Sequence, residues 1–164
     1  MKTAPVPQIS VFNRQRKIAL DRAGLEAFAQ RALPSCAREK GVGLTSLAQV
    51  DVILISDRRI SELHRRFMQM AGPTDVITFQ HGEIFISVET AQRQAEAHHT
   101  SVNHELRLYL VHGLLHLQGF DDSEPTARRR MHRVQARIRR TVPLRFACTR
   151  CRFGRHTRLV RLLA

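Results

Sequence analysis

Residues 106–119, LRLYLVHGLLHLQG, are apolar on nearly every side of the helix that their pattern predicts. A helix of this kind is stable in water only when other elements cover it, so we expect it near the centre of the fold. Two histidines, His112 and His116, interrupt the apolar run four residues apart, a spacing that places both imidazoles on one helix face. Buried imidazoles need either hydrogen-bond partners or a ligand.

The residues after this helix complete a metal-binding pattern. Gly119 is expected to end the helix, because glycine adopts the left-handed C-cap conformation without penalty, and the chain then turns back toward the histidines. The pattern H-x-x-x-H-x-x-G-x-x-D has the ligand spacing of the metzincin proteases, whose third ligand is usually histidine. A carboxylate oxygen binds zinc at about the same distance as an imidazole nitrogen. The pattern therefore predicts one Zn²⁺ per chain, held by His112, His116 and Asp122, with Asp121 as the alternative third ligand.

The residue after the first histidine decides which reactions the site can catalyse. Metalloproteases carry a glutamate there, which acts as the general base, whereas this chain has Gly113. Three protein ligands still leave a coordination position open for water, as in catalytic zinc sites. The missing glutamate counts against a metallopeptidase, but the shared ligand spacing keeps a metallopeptidase-like hydrolase as an alternative. No side chain is assigned as the general base.

The excess positive charge of the chain, +13, lies in its last quarter. Residues 125–164 contain thirteen arginines and no acidic residue, while the basic and acidic residues before them balance. A one-sided arginine block is typical of proteins that bind polyanions, and the planar guanidinium suits bidentate contact with phosphate. On the helix predicted for residues 123–140 the arginines occupy the outer face. The predicted substrate contacts on this helix are Arg128, Arg129, Arg133 and Arg137.

Strand and helix patterns are interspersed along the chain, which indicates one α/β or α+β domain around a small, mixed sheet. Strands are predicted within residues 8–20, 48–56, 72–79 and 82–87. Helices are predicted over residues 21–39, 58–68, 87–99, 101–118 and 123–140. In the second helix Ile60, Leu63 and Phe67 are expected on the buried face. We predict a single domain over residues 1–141, followed by a poorly ordered basic tail over residues 142–164.

Composition indicates the compartment. The chain has no apolar run of about 18 residues and no apolar signal segment, so a membrane partner is not expected. Three cysteines argue against a disulfide scaffold and favour the cytoplasm. In the tail, Cys148 and Cys151 with His156 form a weak zinc motif, because a fourth ligand is absent. No small-molecule cofactor is expected.

The segment HGLLHLQGFDD, preceded by PTDVITFQHGEIFIS, resembles the bacterial YbeY family of metal-dependent, single-strand-specific endoribonucleases. The resemblance runs over about residues 50–138. It implies a four-stranded mixed sheet on which the ligand helix packs, one zinc ion and a cytoplasmic enzyme that uses a zinc-activated water. It also implies ribosomal RNA and the ribosome as partners, in maturation of the 3′ end of 16S rRNA and in ribosome quality control.

Within the predicted site the chain departs from the family pattern at two positions, and outside it the tail after Val142 does not match the family. The third ligand of the family is usually histidine, where this chain has Asp122. An arginine of the family falls at Met68, so Arg65 and Arg66, within a helical turn of it, are predicted to supply positive charge to the substrate. If both departures mark a decayed site, the alternative is a noncatalytic RNA-binding factor in ribosome assembly.

Overall fold

The computed structural model describes residues 6–142. The predictions for the basic tail, including Cys148 and Cys151, lie outside the described residues. The strands are β1 (Gln8–Asn13), β2 (Gln49–Ile55), β3 (Val76–Phe79) and β4 (Glu83–Ser87). The helices are α1 (Arg22–Ala37), α2 (Asp57–Met68), α3 (Val88–Ala97), α4 (Val102–Leu117) and α5 (Pro125–Thr141), with a short 3₁₀ turn at Leu44–Ser46. Within residues 6–142 no helix combines the length and apolar character needed to cross a membrane.

The four strands form one mixed sheet in the order β1-β2-β4-β3. β2 pairs in parallel with β1 on one side and with β4 on the other, and β3 pairs antiparallel with β4 at the edge. The tight turn between β3 and β4 uses Gly82, whose φ of 113° is accessible to glycine without strain. The mixed four-stranded sheet confirms the predicted fold class.

Helix α4 lies in the middle of the molecule, as its apolar sequence requires. It packs against β3 and β4 on one side and against α1, α3 and α5 on the others. Most of its apolar side chains are fully buried, among them Leu106, Leu110, Leu114 and Leu115. Burial of one such leucine contributes about 2 kcal/mol to the free energy of unfolding, so the buried leucines of α4 contribute substantially to hydrophobic stabilisation.

Among the described helices, α2 covers the opposite face of the sheet, through a small cluster around Ile55, Ile60 and Ile77. The predicted burial of Phe67 was wrong, because this side chain is 53% exposed. It lies in the last turn of α2 and contacts the ring of Phe79 edge-on, with centroids 5.0 Å apart. The side chain of α2 that is buried instead of Phe67 is that of His64. Nδ1 of His64 is hydrogen-bonded to the carbonyl oxygen of Gly72 at 3.0 Å.

The end of α4 is tied to the loop after α1 by the fully buried side chain of Gln118. Its amide NH₂ donates to three backbone carbonyls and its oxygen accepts from one backbone N–H, at 2.8–3.2 Å: Ala37, Glu39, Gly41 and Leu44. The backbones also approach closely here, since a Cβ on Gly43 would lie 1.8 Å from the carbonyl oxygen of Leu117. The loop therefore holds the helix end that carries the second histidine.

Candidate metal centre

His112 and His116 project from α4 into a cleft of about 340 Å³ beside β3. Their Nε2 atoms are 3.0 Å apart and their rings meet edge to face. Two imidazole nitrogens at this distance share either a proton or a cation. The spacing of four residues therefore produces the convergence that the sequence predicted.

The turn after α4 sets the tautomer of His116. Gly119 adopts a φ of 100°, and the chain reverses so that the carbonyl of Phe120 lies 3.0 Å from His116 Nδ1. Nδ1–H donates to this carbonyl, which leaves the lone pair on Nε2 facing the cleft. A histidine held in this way presents a preoriented ligand atom to a metal.

Asp122 supplies the third ligand atom of the cluster. Its Oδ2 lies 3.5 Å from His112 Nε2, and its Oδ1 lies 3.8 Å from His116 Nε2. A tetrahedral zinc ion with bonds of about 2.0–2.1 Å requires ligand atoms roughly 3.3 Å apart, and the three observed separations bracket that value. All three ligand atoms lie within 4.8 Å of one another, so these side chains could hold a metal ion.

The neighbouring acid, Asp121, points elsewhere. Its carboxylate accepts hydrogen bonds from the hydroxyl and the backbone N–H of Ser123, and these bonds lower its pKa. The loop between α4 and α5 is further held by Arg128, whose Nε donates to the carbonyl oxygen of Asp122 at 3.0 Å. Asp122 thus faces the histidines from an anchored loop.

The electrostatics of the site favour a neutral His112. Burial lowers the pKa of this imidazole, and the nearby ring of His116 lowers it further. The carboxylate of Asp122 and a hydrogen bond with the side chain of Gln135 act in the opposite direction. Because only the neutral imidazole binds a metal, a lowered pKa extends metal binding toward acidic pH.

Gly113 allows α4 to pack directly on the sheet. A Cβ at this position would lie 2.7 Å from Ile84 Cγ2 and 3.3 Å from Thr78 Oγ1. Ile84 is fully buried and β-branched, so it cannot easily move away. A glutamate at position 113 does not fit, which gives a steric reason for the missing peptidase base.

The remaining wall of the cleft comes from β3 and the segment before it. Thr74, Asp75 and Thr78 line it, together with Met68 at the end of α2. Among the described lining residues there is no lysine or arginine. The hydroxyl of Thr78 is buried and has no hydrogen-bond partner within residues 6–142. Thr78 was not among the residues predicted from the sequence to line the site, although it lies in the PTDVITF segment.

The predicted substrate arginines lie outside the cleft. Arg65 and Arg66 are exposed on the last turn of α2, and Arg129 and Arg133 are exposed on the outer face of α5. Arg137 forms an ion pair with a residue just past the end of α1, namely Glu39. It therefore links α5 to the segment after α1, and Arg139 likewise contacts His104, whereas Arg129 and Arg133 face solvent.

The chain is similar in sequence to proteins of one known family. The family model described as Endoribonuclease YbeY matches residues 10–142. A protein of Gluconobacter oxydans named endoribonuclease YbeY is 34% identical over 125 residues, which are 73% of this chain and 74% of that protein. A protein of the same name from Thermus thermophilus is 38% identical over 127 residues, 70% of this chain and 89% of that protein.

A solution structure of a protein from Thermotoga maritima has the same fold, with a TM-score of 0.57 and 25% sequence identity. The match covers 80% of this chain and 86% of that one. The family match extends from β1 to the end of α5 and includes the whole histidine cluster. The chain therefore belongs to the endoribonuclease YbeY family.

Proposed function

We propose that this protein is a zinc-dependent, single-strand-specific endoribonuclease. We propose further that it acts in the cytoplasm on ribosomal RNA, in maturation of the 3′ end of 16S rRNA and in ribosome quality control. The observation that supports the chemistry most is the convergence of His112, His116 and Asp122 at the spacing of a tetrahedral site. Family membership supports RNA as the substrate.

The ligand residues prepare the site before a metal arrives. His116 is oriented by its bond to the Phe120 carbonyl, His112 is kept neutral by burial, and Asp122 brings one negative charge. A zinc ion bound there would supply a Lewis acid that lowers the pKa of a coordinated water to about 7. Two imidazoles and one carboxylate form a ligand set that suits zinc and leaves a position open.

The edge strand β3 gives the cleft a second set of contacts. It pairs only with β4 among the described strands, so the main-chain groups on its other side are free of sheet hydrogen bonds. Residues 74–78 line the cleft along this free side. The N–H of Val76 is already bonded to the side chain of Asp75. We infer that the N–H of Thr78, on the free side of β3, helps to position the backbone of a single-stranded substrate.

The exposed arginines on α5 are proposed to contact phosphates away from the reaction centre. Replacing Arg129 and Arg133 with glutamine should weaken binding of single-stranded RNA. The slope of log K against log salt should flatten by about 0.7 for each phosphate that the variant no longer neutralises. The matched control removes two arginines that are already ion-paired, Arg22 and Arg58. Equal slopes for the two double variants would show that α5 does not bind RNA.

Met68 offers a gain-of-function test. It lines the metal cleft at the position where the family pattern has an arginine, and its side chain is 46% exposed. We expect Met68→Arg to lower KM for single-stranded RNA by about three- to tenfold, because a cation near the cleft attracts the phosphate backbone. Met70→Arg is the control, since Met70 is exposed but does not line the cleft. The same gain in both variants would indicate a nonspecific charge effect.

The function itself is tested with the purified protein, its metal content and matched RNA substrates. Mass spectrometry should find one zinc per chain, and the protein should cut a single strand while leaving the same strand intact in a duplex. Removal of the metal by a chelator should stop cleavage, and added Zn²⁺ should restore it. A protein that binds RNA but holds no metal and cuts no RNA would instead be the noncatalytic assembly factor.

A further inference from the structure

A second cleft, of about 600 Å³, lies next to the metal cleft and is not used by the proposed reaction. The two clefts share Thr74 and Asp75, which lie on the wall between them. The far side of the second cleft is formed by α3, by the turn that follows it and by the first turns of α4. A chain of nucleotides that crosses the metal site can therefore place a neighbouring base in this second cleft.

Two polar side chains of α4 line this cleft although they are almost completely buried. Glu105 is 4% exposed and Tyr109 is 5% exposed. One carboxylate oxygen of Glu105 accepts a hydrogen bond of 2.6 Å from the hydroxyl of Thr100, and no residue within 6–142 donates to the other oxygen. The hydroxyl of Tyr109 has no hydrogen-bond partner within the same range.

The free oxygen of Glu105 and the hydroxyl of Tyr109 are the parts of these otherwise buried side chains that stay open to the cleft, so their hydrogen-bonding capacity is available to a ligand. An acidic residue in the first turn of a helix stabilises that helix, but it does so equally well at the surface. Burial raises the pKa of Tyr109, and the carboxylates of Asp75 and Glu105 raise it further. Its hydroxyl therefore stays protonated and available to a ligand.

Asp75 adds a second carboxylate from the opposite wall. Its Oδ1 accepts hydrogen bonds from the hydroxyl of Thr74 at 3.1 Å and from the N–H of Val76 at 2.9 Å. No described residue donates to its Oδ2. The cleft thus offers hydrogen-bond acceptors from two carboxylates and a hydroxyl from Tyr109, with Leu108 and Pro73 as apolar surfaces.

From this arrangement we infer that the second cleft binds the nucleobase next to the scissile phosphate and prefers guanine. Guanine carries two adjacent donors, N1–H and the N2 amino group, on its Watson–Crick edge, and these match a site lined by carboxylates. Adenine and cytosine place an acceptor beside their amino group, and uracil has one N–H between two carbonyls, so each would direct an acceptor at a carboxylate. The inference rests on the proposed endoribonuclease function for its placement beside the reaction centre.

The first measurement is the affinity of the zinc-loaded protein for guanosine and adenosine 5′-monophosphates, by calorimetry. Guanosine monophosphate should bind about tenfold more tightly, the effect of one or two hydrogen bonds to a charged group. Glu105→Gln and Tyr109→Phe should each reduce this preference by about tenfold or abolish it. Glu96→Gln, on the exposed surface of α3, is the matched control and should behave as wild type.

Tyr109→Phe is expected to fold even if Glu105→Gln does not, because the hydroxyl that it removes makes no hydrogen bond within residues 6–142. Its melting temperature should equal or exceed that of the wild type. The inference is overturned if the wild type binds the two nucleotides equally, or if both variants keep the wild-type preference.

Cleavage of strands with and without guanine provides a second readout. A wild type that cuts both strands at equal rates contradicts the inference and leaves the proposed nuclease intact. A wild type that cuts neither strand contradicts the nuclease, and the nucleotide affinities then still decide whether the cleft selects guanine.

Discussion

Asp122→Ala is expected to lower the affinity for Zn²⁺ by about 100-fold or more and to abolish RNA cleavage. Loss of a residue that merely orients a ligand costs about 10–100-fold in metal affinity, so loss of a direct ligand should cost at least as much. The fold should persist, because Asp122 lies in the loop past α4 and its carboxylate makes polar contacts within residues 6–142 with the two histidines alone. Zinc titration with a competing chelator measures the affinity, and thermal unfolding of the apo form checks the fold.

Asp121→Ala is the matched control for this prediction. It removes the same charge one residue earlier, from a side chain bonded to Ser123, and should keep the wild-type zinc affinity. If Asp121→Ala weakens zinc binding and Asp122→Ala does not, the third ligand has been misassigned.

Asp122→His tests the effect of the carboxylate on the site. It should restore zinc binding and cleavage, because histidine is the usual third ligand for this spacing. The ligand set then loses one negative charge, so the pH–rate profile should shift toward lower pH. An active Asp122→His variant with an unshifted profile would contradict the idea that this carboxylate adjusts the acidity of the site.

Gln118→Leu is expected to lower the free energy of unfolding by about 3 kcal/mol or more. The substitution keeps the side-chain volume but leaves one backbone N–H and three carbonyls without the partner that Gln118 provides. Each buried polar group left unpaired costs about 1–3 kcal/mol, and the close backbone approach at Gly41 and Gly43 leaves little room for water to replace the amide. Urea unfolding of the apo protein measures the change.

The control for this prediction is Gln92→Leu, on the exposed surface of α3, where the amide donates one hydrogen bond, to Glu96, among the described residues. A loss of less than about 0.5 kcal/mol is expected there. Equal losses in both variants would show that the buried network around Gln118 contributes nothing of its own.

The sequence predicted the parts of the site that depend on local spacing. The convergence of His112 and His116 follows from helical periodicity, and the return of the chain after Gly119 follows from the conformational freedom of glycine. The placement of α4 at the centre follows from its apolar composition. These inferences require no knowledge of which elements lie side by side.

The parts that depend on contacts between distant segments could not be predicted. Gln118 reaches residues that lie more than seventy positions earlier in the chain, and no local pattern marks it. The burial of His64 instead of Phe67 depends on where α2 ends relative to the sheet. The second cleft combines the segment before β3 with α3 and α4, which only the folded arrangement brings together.

All three side chains of the histidine–aspartate cluster lie within residues 112–122, on the last turns of one helix and the loop that follows it. A metal held by such a short segment does not cross-link distant parts of the chain, so its release requires only local opening of that loop. Exchange of the ion with its surroundings is therefore expected to be much faster than global unfolding. With the proposed metal held in this way, we expect the protein to lose the ion during scarcity and to be reloaded without being refolded.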